Sequence, residues 1–477
     1  MTLSKNKIDE FQSLVKNQIL VSEYDKYLSD WRGVFKGKTN FVIFPASTKE
    51  VSNVVKLASN NEIPIVPQGG NTGLCGGATP DQSGDSILMN LTKLNKIRSI
   101  DLIGNTITIE AGCILESIHN EVDKKNKVFP INLAAKGSCT IGGNIATNAG
   151  GNNVLKYGST SDLVLGIEAV LPDGKIINTL TALHKDNTGY ALHKLLIGSE
   201  GTLAIITAAT IKIFQKPKLK LSSFMKVKDI FKSIQLLQYL QSVTGNGIEA
   251  FEIMTKPILE IIHKQFPQYN KPFTNIPEMA VLVEFATTSD LDLKKNETGE
   301  TIFKNKVIEI MTNTIEKELI EDAVISQSNQ QNKDLWEIRE SANIAQMQEG
   351  FQLKLDISIP ISEMAEFWNN TSKDISKFHS KVKICVFGHL GDGNLHYNLM
   401  DISKDHPYVY QNQNLLKDFV YERVKKVGGS FSAEHGIGQL KIKELKKYKD
   451  KASLELMKKI KLSLDPNNIL NPGKLFI

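Results

Sequence analysis

Pro67-Gln68-Gly69-Gly70-Asn71-Thr72-Gly73-Leu74-Cys75-Gly76-Gly77 is the stretch on which the fold turns. It follows Ile63-Pro64-Ile65-Val66, a short apolar run that reads as a strand. Upstream, Ser47-Thr48-Lys49-Glu50 has the form of a capping box, and Val51, Val54, Val55 and Ala58 keep helical spacing behind it. Glycine at such density lets backbone N–H groups approach an anion closely and turn inward, a nest for phosphate oxygens. Two more such loops occur, Lys136 to Gly151 and Gly198-Ser199-Glu200-Gly201-Thr202-Leu203. A single glycine cluster can be a surface turn; three within one mixed α and β region point to a ligand. No Gly-x-Gly-x-x-Gly opens a helix after the first strand, and no Gly-x-x-x-x-Gly-Lys-Ser/Thr occurs, which disfavours an NAD-type Rossmann site and a P-loop.

Outward from these loops, Ile107 and Ile109 alternate as a strand, and Ile114, Leu115, Ile118 and Val122 mark a helix. Strands are expected over Leu163–Leu171 and Lys175–Ile177 around the turn Pro172-Asp173-Gly174, and again over Leu203–Ile213. Lys216-Pro217-Lys218 then punctuates the chain, and longer polar helices follow, with a strand at Val281–Phe285. Leu454, Met457, Ile460 and Leu464 keep a helical period near the end.

The bulk numbers agree with a folded multidomain chain. At 477 residues, two or three domains are expected, and 41% hydrophobic with 23% charged residues is a globular balance. The formal charge of +5 comes from lysines scattered through polar stretches rather than gathered beside aromatics, so a solvated surface is expected and no nucleic-acid site. Cys75, Cys113, Cys139 and Cys385 form no Cys-x-x-Cys pair, which argues against a zinc ribbon, an iron–sulfur cluster or a disulfide framework. Residues 1–33 hold no continuous apolar core, so neither a secretory signal nor a transmembrane segment is expected, and the expected compartment is cytoplasmic.

A second constellation is Gly388-His389-Leu390-Gly391-Asp392-Gly393-Asn394-Leu395-His396-Tyr397-Asn398, with Ser432-Ala433-Glu434-His435-Gly436-Ile437-Gly438 downstream. Two imidazoles and a carboxylate can hold a divalent metal. The two histidines are seven apart on a glycine-rich segment, so spacing alone leaves structural histidines as an open alternative.

Pro67–Gly77, the Leu133–Gly151 loop, and Asp186-Asn187-Thr188-Gly189-Tyr190 with Gly198–Thr202 resemble the FAD-binding domain of the vanillyl-alcohol-oxidase/PCMH flavoproteins, in their D-2-hydroxy-acid dehydrogenase branch. The resemblance runs from about Gly33 to the end. It implies an α+β fold: an N-terminal helical segment (1–36), a PCMH-type FAD-binding domain (37–217), an α+β substrate or cap domain (218–415), and a C-terminal helical segment (416–477) that rejoins the FAD domain. It implies FAD contacts from Pro67, Gln68, Gly69, Gly70, Asn71, Thr72, Gly73 and Leu74 in the first loop. In the second loop it implies Gly137, Ser138, Ile141, Gly142, Asn144, Ala146, Thr147, Asn148, Gly150 and Gly151. Tyr157, Gly201, Ile206, Glu434 and Asn471 complete the set. The first loop holds no histidine, so non-covalent FAD is implied.

His389, His396 and Glu434 match the family's metal ligands, with zinc the expected ion, and His435 matches its base and a substrate contact. Arg339 and Lys354 match its carboxylate binders, while Asn343 and Asn398 match substrate contacts. The implied reaction is oxidation of a D-2-hydroxy acid, D-2-hydroxyglutarate foremost, with hydride transfer to flavin N5. Three positions depart from the family: Ala204 where glycine is usual, Asn343 where threonine is usual, and Leu355 where tyrosine is usual. The last two keep D-lactate and D-malate as alternatives. The implied partners are the hydroxy acid, an electron acceptor such as an electron-transfer flavoprotein or a quinone, and a second copy in a homodimer. A flavin oxidase, a flavin-binding electron carrier without catalysis and a metallohydrolase without flavin are the competing readings.

Metal and base belong together for a chemical reason. An alcohol gives up its proton about as reluctantly as water, near pKa ~15.7, which falls to about 7 on zinc. A histidine near ~6.5 faces a gap of roughly nine units, on the order of 12 kcal/mol.

Overall fold

The computed structural model describes residues 3–245, 247–402 and 407–476. The chain divides into two compact units, one of residues 1–151, 158–215 and 434–477, the other of 152–157 and 216–433.

The first unit holds two main sheets. Strands β1 (Val42–Ile43), β2 (Ile65–Gln68) and β3 (Ile87–Asn90) form a parallel sheet in the order β1-β3-β2. Strands β4 (Ile97–Asp101), β5 (Thr106–Glu110), β7 (Val164–Val170), β8 (Ile176–Asn178) and β9 (Ile205–Lys212) form an antiparallel sheet in the order β4-β5-β9-β7-β8. A two-stranded piece pairs β6 (Lys127–Val128) with β10 (Phe214–Gln215). Ser47 caps the helix Thr48–Asn60 by accepting from the Glu50 N–H at 3.2 Å, as its sequence predicts. The Glu50 carboxylate reaches back to the Ala46 N–H at 2.9 Å, closing the helix entry. Residues 1–36 do not stand apart. Phe11, Val15 and Ile19 are buried in the same core as Phe41, Ile65 and Ile87, because three apolar side chains this size cost several kcal/mol if left in water.

The C-terminal return begins at residue 434 rather than 416. The helix Gln413–Lys426 stays with the second unit, where it buries Leu416, Val420 and Val424. At the far end, the Ile65 N–H donates to Ile469 O and the Asn471 N–H to Ile65 O, both at 2.8 Å, so the last residues pair alongside β2.

The second unit is one antiparallel sheet. Its order is β14 (Asp322–Ile325), β11 (Leu219–Val227), β13 (Met279–Thr287), β12 (Ile248–Thr255), β17 (Val382–His389), β18 (Asn394–Asp401) and β15 (Gln352–Leu353), with β16 (Asp356–Ser358) also on β18. Period two sorts the side chains of β18 onto two faces. Tyr397 packs against Phe367 and Trp368 of the helix Ile361–Phe378. On the opposite face, Met254, Cys385, Phe387 and Met400 share a core with Leu335, Ile338, Ala342 and Ala345 from the helices Asn329–Glu340 and Ala342–Glu349. That second face carries the polar residues of interest.

Candidate active site

In the first unit the three glycine loops line one cleft. Pro67, Gln68, Gly69, Gly70, Asn71, Thr72 and Gly73 come from the first loop, Gly142, Asn144, Ala146 and Thr147 from the second, Gly201 from the third, and Ile206 from the start of β9. The glycines permit this convergence. A Cβ on Gly70 would collide with the Ser138 carbonyl, one on Gly142 with Ala111, and one on Gly201 with Pro67. Gly201 also has φ +72°, a left-handed conformation that L side chains rarely adopt.

Side chains then fasten the loops. The Gln68 Nε2 donates to Tyr27 O at 2.9 Å and to Ala78 O at 3.0 Å, closing the first loop. Leu74 is held through its carbonyl by the Arg32 guanidinium. The Asn471 Nδ2 donates to Gly77 O at 3.0 Å and Glu200 O at 2.7 Å, tying the first loop to the third. Asn148 accepts from the Ser161 N–H at 2.8 Å. Gly137 and Ser138 are exposed, while Ile141 is buried in the helix Ile141–Ala146. Gly150 and Gly151 meet Glu434, whose carboxylate accepts from the Gly151 N–H at 2.9 Å. Tyr157 falls in the second unit, where its hydroxyl donates to Glu249 at 2.6 Å. Tyr190, in the Asp186–Tyr190 stretch, is 94% exposed.

Sequence reasoning passed over several residues of this cleft, among them Leu91, Ala111, Thr140, Glu200 and Ile205. Glu200 stood inside the third loop, at φ +52°. Its carboxylate accepts from the N–H groups of Ile437 and Gly438, each at 2.7 Å, so it clamps the segment that carries Glu434 and His435. Burial pushes its carboxyl above the usual range. His435 itself lines the cleft.

The cleft suits a dinucleotide cofactor by its polar inventory. Thr140 Oγ1 and Asn144 Oδ1 are buried at its wall with no hydrogen-bond partner among the described residues, and an unsatisfied buried polar atom costs about 1–3 kcal/mol. Gly73 faces open space. Backbone amides, small side chains and unsatisfied acceptors and donors are what a flavin with its pyrophosphate would engage.

In the second unit, the β17–β18 hairpin brings together two histidines seven residues apart. Phe387 is the register partner of His396, and the rings of His389 and His396 lie 5.7 Å apart at 78°. One carboxylate organises this face. Glu252 on β12, fully buried and the register partner of His389, meets the His389 Nδ1 at 2.6 Å. Its other oxygen accepts from Arg339 Nε at 2.8 Å and lies 2.7 Å from Nη2. Burial alone would push the Glu252 carboxyl up, but His389 and Arg339 hold it down to about 2. Arg339 sits 4.9 Å over the Phe387 ring, which in turn lies 4.9 Å from His396. Asp392, in the turn between the strands, is pushed up to about 6 by burial.

The other expected substrate residues are distributed. Asn398 is buried, accepting from the Leu355 N–H at 3.3 Å and donating to Gln346 at 2.8 Å. Lys354 is half-buried, two residues before Asp356, the register partner of His396. Asn343 is exposed on its helix. The donor set of His389 and His396 suits a divalent metal: an ionised Glu252 can only accept, so the His389 nitrogen that meets it is an Nδ1–H donor, and Nε2 is the nitrogen that would ligate.

Two family models match this chain: "FAD binding domain" over residues 39–180 and "FAD linked oxidases, C-terminal domain" over residues 216–475. With the α+β fold and the glycine-lined cleft, they define the class, and the chain belongs to the FAD-linked oxidase family. Among its relatives, the mitochondrial D-2-hydroxyglutarate dehydrogenase of Arabidopsis thaliana is 34% identical, over 99% of this chain and 82% of that protein. The D-2-hydroxyglutarate–pyruvate transhydrogenase of Saccharomyces cerevisiae is 32% identical, over 99% of this chain and 94% of its own. Of solved structures, p-cresol methylhydroxylase with substrate bound matches with a TM-score of 0.70 at 16% identity, covering 99% of this chain and 97% of that one, a likeness of fold. No helix among the described residues is long and apolar enough to cross a membrane. The relatives named mitochondrial do not fit the plain cytoplasmic expectation.

Proposed function

We propose that this protein is an FAD-dependent dehydrogenase of D-2-hydroxy acids, with D-2-hydroxyglutarate as its substrate. The observation that carries the reading is the cleft of the first unit, lined by all three glycine loops with His435 at its wall. The name of relatives matched over nearly the whole chain supports the choice of acid. FAD, held non-covalently there, supplies the two-electron acceptor for the C2 hydride.

His435 is the base that takes the substrate's hydroxyl proton. Arg339 binds a substrate carboxylate through its end-on edge of Nη1 and the second Nη2–H, since Glu252 faces its Nε side. Lys354 supplies the second positive point that a dicarboxylate needs. His389, His396 and Glu434 hold a divalent metal, zinc by its donor set, which would lower the hydroxyl's pKa. In the covalent chain, Glu434 directly follows Ala433, whose N–H donates to Asp356 O at 3.2 Å, and Asp356 is the register partner of His396.

The test is a panel of D- and L-2-hydroxyglutarate, D-malate and D-lactate against the yellow, metal-replete enzyme. D-2-hydroxyglutarate should give the highest kcat/KM, and a faster D-lactate or D-malate would overturn the choice of acid. His396→Ala should abolish flavin bleaching while FAD stays bound; unchanged bleaching would remove the metal role. An electron-transfer flavoprotein, a quinone analogue and pyruvate compete as acceptors. Pyruvate belongs there because one relative is named a transhydrogenase with it.

A further inference from the structure

Glu252 lies outside both glycine loops and histidine motifs, 137 residues before His389 and 87 before Arg339. We infer that Glu252 is a positioning residue that locks His389 in the Nδ1–H tautomer and turns Arg339 edge-on, joining the metal ligand to the carboxylate binder through one buried side chain. The inference rests on the reading of His389 as a metal ligand and Arg339 as a substrate binder.

The argument is one of lone pairs. A carboxylate has two acceptor oxygens, and here each serves a different partner: Oε1 the His389 Nδ1 at 2.6 Å, Oε2 the Arg339 Nε at 2.8 Å. Arginine is always charged and donor-only, so it claims an acceptor first. Histidine adapts, since either ring nitrogen can carry the proton. An amide at this position has one acceptor oxygen and one NH₂. In Glu252→Gln, Arg339 takes the oxygen and the NH₂ faces His389 Nδ1. The imidazole then moves its proton to Nε2, which removes the lone pair that would bind the metal. Outer partners of metal-binding histidines are worth roughly 10- to 100-fold in affinity. The carboxylate equally decides what Arg339 can offer: with Nε–H and one Nη2–H turned to Glu252, the end-on edge of Nη1 and the second Nη2–H is what it can turn to a substrate.

The experiment measures zinc affinity of the FAD-loaded full chain by chelator competition, for wild type, E252Q and the double variant E252Q/R339M. E252Q should bind zinc about 10- to 100-fold more weakly with unchanged FAD content. The double variant removes the competing cation, lets the amide oxygen accept from His389 Nδ1–H, and should regain affinity to within a few-fold of wild type. Equal affinity in E252Q, or no recovery in the double variant, overturns the inference. A wild type that binds no zinc would instead remove the metal reading. The ¹⁵N shifts of His389 in metal-stripped wild type then decide the inference alone: Nδ1–H supports it and Nε2–H overturns it. That measurement also serves if E252Q fails to fold.

Discussion

The cleft of the first unit is walled by backbone and small side chains, whereas the working face of the second is held by ionised side chains. Gly69, Gly70, Gly142 and Gly201 let three loops approach until a single methyl would not fit. Glu252, Arg339 and His389 instead trade charge and hydrogen bonds across three elements. The two regions should therefore fail differently. Added volume damages the first, and lost or displaced charge damages the second.

The largest effect is expected where a buried charge loses a partner. Arg339→Ala leaves Glu252 half-paired in the core and should cost about 3–5 kcal/mol, read from urea unfolding, with a raised KM for the hydroxy acid in whatever folds. Stability equal to wild type would make the ion pair irrelevant to the fold. Next comes pH. The Glu252 carboxyl sits at about 2 in the folded protein, against an ordinary value of 4.5. Because its folded value is the lower, its contribution is complete above pH 4.5 and is lost as pH falls from 4.5 towards 2. The loss is on the order of 3 kcal/mol. Unfolding midpoints across that window should fall more steeply in wild type than in E252Q.

On the glycine side, Gly70→Ala drives a methyl into the Ser138 carbonyl. It should cost about 1–3 kcal/mol and lower the FAD content of purified protein, measured by the ratio of flavin to protein absorbance. Retained full flavin would mean that the loops can part without consequence. The smallest effect is expected at Asn343, which is exposed. Asn343→Ala should stay within about 0.5 kcal/mol of wild type, so any large KM change there would isolate a substrate contact from a structural one.

The same contrast explains what could be read from the chain beforehand. The capping box at Ser47, the alternation of Ile107 and Ile109, and the glycine loops are local signals, and each produced the expected element. The hairpin that joins His389 and His396 carries mixed polar and apolar residues buried on both faces, so no alternation announces it. Glu252 sits inside the run Ile248–Thr255, whose eight residues are all buried, and its partners lie on distant elements. Glu200 was visible within the third glycine loop, but its clamp on Ile437 and Gly438 spans more than two hundred residues of chain. Pairing across such distances is set by register and helix packing, which local patterns do not encode.

The central claim is the union of a flavin with a D-2-hydroxy acid, and anaerobic stopped flow tests it most directly. Mixing the yellow, zinc-replete enzyme with D-2-hydroxyglutarate should bleach the flavin absorbance within the turnover time, while the L-isomer leaves it unchanged. Bleaching by both isomers alike, or a colourless protein that cannot be loaded with FAD, would contradict it.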